Sequence, residues 1–251
     1  MSLVIAIKDK DRIVLGADKQ VSFGNNKDHN STKIWEVIGL PGAIMGGVGS
    51  ARANQIIQYS DIIDKNALPE EITIEYVIRN IAPSIYATLS ANGVNCNPID
   101  PETGLKVETM YMPNAFLFAY KDRVWMINFD LAVVEILDYF AIGSGADVAR
   151  GALFATQGAN PFERIVTSID AASEATIGVD DGIDLLVTED KASDAKNVAK
   201  AFGIEIKKTE TKLEEKKAEV EAETEIAEEK VEEKVEEVKE KKTKKKSKKE
   251  E

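Results

Sequence analysis

Residues 1–18 read MSLVIAIKDKDRIVLGAD. Leu3 to Lys8 and Arg12 to Asp18 are short apolar runs, and Asp9, Lys10 and Asp11 between them predict a β-hairpin. Most domains leave their first residues loose. Here a strand is expected to begin at residue 2 or 3, with no leader or targeting segment before it. In Arg12-Ile13-Val14-Leu15-Gly16-Ala17 both strand faces are apolar, and strands of that kind are covered on both sides.

Outward from this hairpin, Lys33 to Leu40 and Gly42 to Gly49 predict a second strand pair joined at Pro41. Ser50 can cap a helix running through Ala53, Ile56, Ile57 and Ile63. A second helix follows, with Ile74, Val77, Ile78, Ile81, Ile85 and Leu89 on one stripe and Pro83 as a kink inside it. Residues 92–112 are expected to form a loop or a long hairpin tip. Ala115–Tyr120 and Val124–Phe129 predict another hairpin, and Val133–Tyr139 a further strand. The segment GSGADVARGALFATQG starts a third helix. A fourth is bounded by Asn160 as cap, Pro161 at the first helical position and Gly178 beyond its last turn. Ile183–Thr188 is expected to be the last strand, and Ala192–Phe202 a short helix. The order lacks βαβ alternation, so it predicts an α+β fold. Two antiparallel sheets pack face to face with helices outside, a four-layer αββα sandwich.

The 251 residues divide by composition. Residues 1–206 are long enough for one core. Residues 207–251 hold 15 Lys and 16 Glu with no aromatic residue, Gly or Pro. Such a segment cannot build a packed core, and it is expected to be a solvating or docking tail, disordered or partly helical. Its charges nearly cancel, so almost all of the formal charge of −12 sits on residues 1–206. An acidic body argues against nucleic acid as main partner. One cysteine, Cys96, and one histidine, His29, exclude an intramolecular disulfide framework and argue against a structural zinc site. No membrane span or signal peptide is expected, and the composition fits a cytoplasmic protein.

Met1 precedes a small residue, Ser2, which ordinarily permits removal of the initiator methionine. The exposed α-amine would have an ordinary pKa of about 7.7–8.0, so part of it is neutral near pH 7. It can then act as the base that activates its own side-chain hydroxyl. Such a nucleophile must be held rigidly, which accounts for a strand starting at once.

At this point the chain resembles the proteasome β-subunit family of N-terminal nucleophile hydrolases. The resemblance rests on SLVIAIKDKDRIVLGAD, STKIWEV, AIMGGVGSARANQII and AIGSGADVARGALFA, in that order, and on GIDLLVTE. It covers residues 2 to about 190. It implies peptide-bond hydrolysis, a threonine/serine-type endopeptidase activity in protein degradation. Ser2 takes the nucleophile position, Asp18 the acidic position after the hairpin and Lys33 the buried lysine. Gly49 aligns with the glycine whose N–H binds the oxyanion, and Ser144 with the serine near the terminal amine. The resemblance implies no cofactor, no metal, and peptide or protein as substrate. It further implies a ring-forming homo-oligomer, with α-type subunits or an ATPase as further partners. The acidic body with its Lys/Glu tail has an archaeal look.

Two departures stand out. The nucleophile is Ser where the family uses Thr, so the methyl that helps fix the rotamer is missing. Near the end of the fourth helix, Thr176 and Val179 occupy places where the family has Asp and Ser. The Thr176 and Val179 departures motivate a noncatalytic structural subunit as a second reading; a third is a related amidase or transpeptidase, in which an amine instead of water resolves the acyl intermediate. Taken singly, each site residue also has a plain role. Asp18 suits a strand end, Lys33 a solvated strand position and Gly49 a crowded strand–helix junction. Ser144 suits a helix cap. Lys33 is expected to share a strand face with Trp35 and Val37, which favours its burial against Asp18. His29 is expected to be solvated, and Cys96 to be an inert loop residue.

Overall fold

The computed structural model describes residues 2–23, 26–94, 96 and 111–188. The helix expected over 192–202, the tail, and residues 95 and 97–110 of the 92–112 loop lie outside the described residues.

The opening hairpin forms as expected, from β1 (Leu3–Asp9) and β2 (Arg12–Asp18). Lys10 takes a positive φ of 57° at the turn. The two faces of β1 bury separately. Leu3, Ile5 and Ile7 join a cluster with helix residues such as Leu153, Phe162, Ile165 and Ile169. Val4 and Ala6 join a different cluster with Ile34, Ile44 and Leu117. Each fully buried Leu or Ile contributes about 1.5–3 kcal/mol, so both faces favour this register.

The chain then adds β3 (Val21–Phe23), β4 (Asn26–Asp28), β5 (Ile34–Glu36) and β6 (Ala43–Gly49). Each of these first two strands is only three residues long and β4 is wholly polar and exposed, too little pattern for a strand to be expected there. Helix α1 (Ala51–Gln58) starts where Ser50 accepts a bond from the Ala53 N–H. It ends earlier than its apolar pattern, because the Ser60 hydroxyl bonds the Ile56 carbonyl and competes with the helical ladder. Ile62 and Ile63 are buried from the irregular segment instead. The next helix is composite: α2 (Ile74–Tyr76), a π-turn (Val77–Ile81) and α3 (Ala82–Ala91). Pro83 cannot donate a backbone bond and its ring crowds the preceding turn, so a wider π-turn just before it is a physical way to absorb the kink.

Strands β7 (Asn114–Tyr120), β8 (Arg123–Ile127) and β9 (Val133–Ile136) follow. The single strand expected over Val133–Tyr139 is in fact two. Leu137 is 82 % exposed, the chain changes sheets there, and β10 (Tyr139–Gly143) pairs with β1. Helices α4 (Ala146–Ala155) and α5 (Pro161–Ala175) and strand β11 (Ile183–Val187) complete the described chain. Asn160 caps α5, with Pro161 at its first position.

The order β10-β1-β2-β11 makes one antiparallel sheet and β5-β6-β7-β8-β9 the other. One apolar cluster lies between the sheets. A second lies between the first sheet and α4–α5, and a third between the second sheet and α1, the π-turn and α3. The layers are therefore α, β, β, α, the expected sandwich.

Candidate active site

The site is assembled at the end of the first sheet where β1 begins and β2 stops. Ser2 immediately precedes β1 and is 9 % exposed. The Leu3 N–H beside it donates to Asp18 Oδ1 at 2.7 Å. Asp18, the last residue of β2, is fully buried, and its other oxygen accepts the Gln20 N–H at 3.1 Å. Lys33 Nζ reaches the same Asp18 Oδ1 at 2.6 Å, with Lys33 only 3 % exposed. Asp18 thus ties the lysine and the backbone next to Ser2 together.

Lys33 is buried as expected, by a different route. It lies just before β5, so strand alternation does not govern it. Trp35 and Val37 pack on the helix side of their sheet, whereas the Lys33 side chain crosses to Asp18 on the other sheet. Burial holds the Lys33 ammonium below the ordinary lysine value and pushes the Asp18 carboxyl above its own; the mutual charge contact opposes both shifts. Asp180 and Asp184 add to the field that favours charge on Lys33.

Ser144 does not cap α4. Gly145 is the cap and makes no side-chain cap bond. Instead Ser144 turns toward Ser2. Its N–H donates to the Ser2 carbonyl at 2.9 Å, and its Oγ accepts the Ser2 N–H at 3.2 Å. Gly143, opposite Leu3 in the register, has φ +109°. A Cβ there would run into the Ser2 carbonyl oxygen, so this close approach requires glycine.

Gly49 differs from the neighbouring Gly46 and Gly47 in its backbone conformation. The Gly47 N–H is committed to the Lys33 carbonyl at 3.0 Å. Gly49 ends β6 at φ +121° and lines a cleft of about 290 Å³ together with Ser2, Lys33, Val21 and Asn54. Three of the five predicted site residues therefore face one cavity, and Asp18 and Ser144 support it from behind and beside. Among the described residues no group of three or more His, Cys, Asp or Glu side chains could hold a metal ion.

Several neighbours of the site carry no signal in the residue pattern. Asn114 and Asn54 are buried against the Gly49 turn; an Asn following Pro113 reads as turn chemistry, and only the register shows its strand role. His29 is mostly exposed, as expected, yet its Nδ1 lies 2.7 Å from Asp180 Oδ2. Cys96 is a free thiol and is buried.

No protein-family model matches the chain. A proteasome subunit beta from Nanoarchaeum equitans (strain Kin4-M) is 29 % identical over 209 residues, covering 82 % of this chain and 91 % of that one. The solved structure of Thiobacillus denitrificans BPH in complex with epoxomicin is 18 % identical. It superposes with a TM-score of 0.59 over 74 % of this chain and 97 % of that one. An Anbu mutant from Hyphomicrobium sp. strain MC1 is 14 % identical, with a TM-score of 0.54 over 84 % and 100 % of the two chains. The chain is thus similar to a proteasome β-type subunit over most of its length, and it shares the fold of these solved structures.

Within this chain the departures at 176 and 179 have a structural setting. Thr176 ends α5 and its carbonyl accepts the Val179 N–H at 3.1 Å. Val179 is buried in the α4–α5 cluster, where a Cβ on Gly145 would touch its methyl at 2.9 Å. An apolar side chain at 179 is thus a packing element under the turn that carries Ser144.

Proposed function

We propose that the chain is a peptide-bond hydrolase whose nucleophile is the Ser2 hydroxyl once Met1 has been removed. The observation that carries this reading is the buried Lys33–Asp18 pair, whose carboxylate also holds the Leu3 N–H next to Ser2. With Met1 gone, the Ser2 nitrogen is an amine beside Ser144 Oγ. It takes the hydroxyl proton as Oγ attacks the scissile carbonyl. The Lys33 ammonium favours that proton loss and stabilises the charge that develops. The Gly49 N–H receives the oxyanion. The amine then returns the proton to the leaving amine, and the peptide bond breaks to leave an ester on Ser2. Water, deprotonated by the same amine, attacks the ester, and the amine returns that proton to Ser2 Oγ as the acid leaves. No metal or cofactor enters this scheme.

The relatives support a protein or peptide substrate and assembly into a ring with an internal chamber, with α-type subunits or an ATPase as candidate partners. We assign residues 1–206 to the catalytic domain and 207–251 to a charged tail. Among the described residues, no helix is long and apolar enough to cross a membrane, and a cytoplasmic location accords with the single cysteine. A peptide epoxyketone, which reacts with hydroxyl and amine of one N-terminal residue, tests the mechanism. Intact mass should show loss of Met1 and one adduct on the wild type, and none on Ser2→Ala. An adduct on both proteins, or on neither, would overturn the assignment. Retained Met1 with no adduct would favour the noncatalytic subunit, whose motivation is Val179 at a place where the family carries Ser. An ester product passed to an added amine in preference to water would favour the transpeptidase.

A further inference from the structure

We propose that Asn114, together with Asn54, is a positioning residue that fixes the Gly49 turn as an oxyanion donor. The proposal rests on the reading of Gly49 given above. Asn114 opposes Gly49 in the β6–β7 register and is fully buried. A primary amide buried in a strand is costly unless its donors and acceptor are used, and here they are. Oδ1 accepts the Ser50 N–H at 3.0 Å, and Nδ2 donates to the Ser50 carbonyl at 3.0 Å and to Asn54 Oδ1 at 2.7 Å. Asn54 Nδ2 in turn donates to the Gly47 carbonyl at 2.7 Å. The two side chains therefore grip the backbone on both sides of Gly49.

This grip acts where the backbone needs it. Gly49 sits at φ +121°, and a Cβ would strike the Pro113 carbonyl oxygen. Glycine makes the conformation accessible without selecting it. Tying Ser50 through both its N–H and its carbonyl to the facing strand selects one orientation of the turn. An oxyanion donor is effective when its direction is set before the charge appears. Asn54 lines the cleft with Ser2 and Gly49, whereas Asn114 is not among the lining residues. Its effect on the reaction is transmitted through Gly49 and Ser50.

The test compares wild type with Asn114→Leu, which fills similar volume without the bonds, and with Asn114→Asp, which keeps the acceptor for the Ser50 N–H. Turnover of a fluorogenic peptide is normalised to sites titrated with the epoxyketone. For N114L, kcat per titrated site is expected to fall about 100-fold with KM changed less than about twofold, the signature of a misplaced catalytic group. N114D is expected to recover part of that loss. A merely structural role would lower the titratable fraction and leave kcat per site unchanged, and that outcome overturns the proposal. Hydrogen exchange of the 47–54 segment gives a readout independent of activity. Slower exchange in wild type than in N114L supports the clamp even if the wild type takes no probe, in which case only the catalytic reading fails. Equal exchange in the two proteins overturns the clamp.

Discussion

Lys33 and Asp18 are the residues at which burial and charge are in sharpest opposition. Removing one partner of a buried pair leaves the other charge uncompensated, at a cost of about 3–5 kcal/mol. Lys33→Met is therefore expected to lower unfolding stability by about that amount in urea, and the double change with Asp18→Asn to restore much of it. The pH dependence has two signs. Burial places the folded-state ammonium below its ordinary value of 10.5. Between those two values the unfolded chain binds more protons, so this residue makes stability rise with pH. Labelling of Ser2 should move the opposite way, falling as pH climbs through the folded-state value and the positive charge is lost. Urea midpoints and probe rates measured from about pH 7 to about pH 10.5 check both slopes. A labelling rate that goes on climbing beyond the titration of the amine, above about pH 9, would make neutral Lys33 the proton acceptor instead of the amine. The strand-face argument for burying Lys33 did not hold, because Lys33 precedes β5 and its side chain reaches Asp18 instead. The pair was legible through the resemblance, which puts Asp18 and Lys33 together. Asn54 and Asn114 were not, because neutral amides advertise no partner and their strand contact appears only once β6 and β7 are in register.

The strand ends that frame Ser2 depend on glycine at positions where the element itself would accept other residues. Gly143 ends β10 with its Cα against the Ser2 carbonyl. Gly143→Ala must either shift Ser2 or rotate out of its positive φ, with strain of about 1–3 kcal/mol. The variant is expected to show a matching loss in urea midpoint together with a slower probe reaction. Wild-type labelling at reduced stability would mean that Ser2 tolerates displacement. Elements with strong local signals were readable from the residue order: the opening hairpin from two apolar runs about a polar turn, α5 from its Asn160 and Pro161 start, and β7–β8 from two apolar runs about Lys121-Asp122. The polar β3–β4 hairpin was missed because its strands bury little. The run over 133–139 reads as one strand because apolar residues continue through Leu137, and only the pairing of β9 with β8 and of β10 with β1 reveals the change of sheets. The π-turn before Pro83 was foreshadowed as a kink, since proline signals a broken ladder without saying how the turn is rewound.

The layer order follows from strands that are apolar on both faces, since each sheet must be covered twice. What a single chain leaves uncovered bears on assembly. On α4, Val148, Gly151 and Phe154 recur at three-residue spacing on one side. Phe154 is 67 % exposed, and nothing lies within 4 Å of a Cβ added at Gly151. A helix face of this kind, on a chain of net charge −12, suits contact with another subunit better than open solvent. If the ring reading holds, Phe154→Glu should convert the assembled form to smaller species in analytical ultracentrifugation. The monomer should keep its far-UV circular dichroism and near-wild-type urea midpoint, because the side chain contributes little to the core. A variant that still sediments as the wild type does would remove α4 from the interface and leave Leu137, Tyr59 or Ile177, the other strongly exposed apolar residues, as the surfaces to change next.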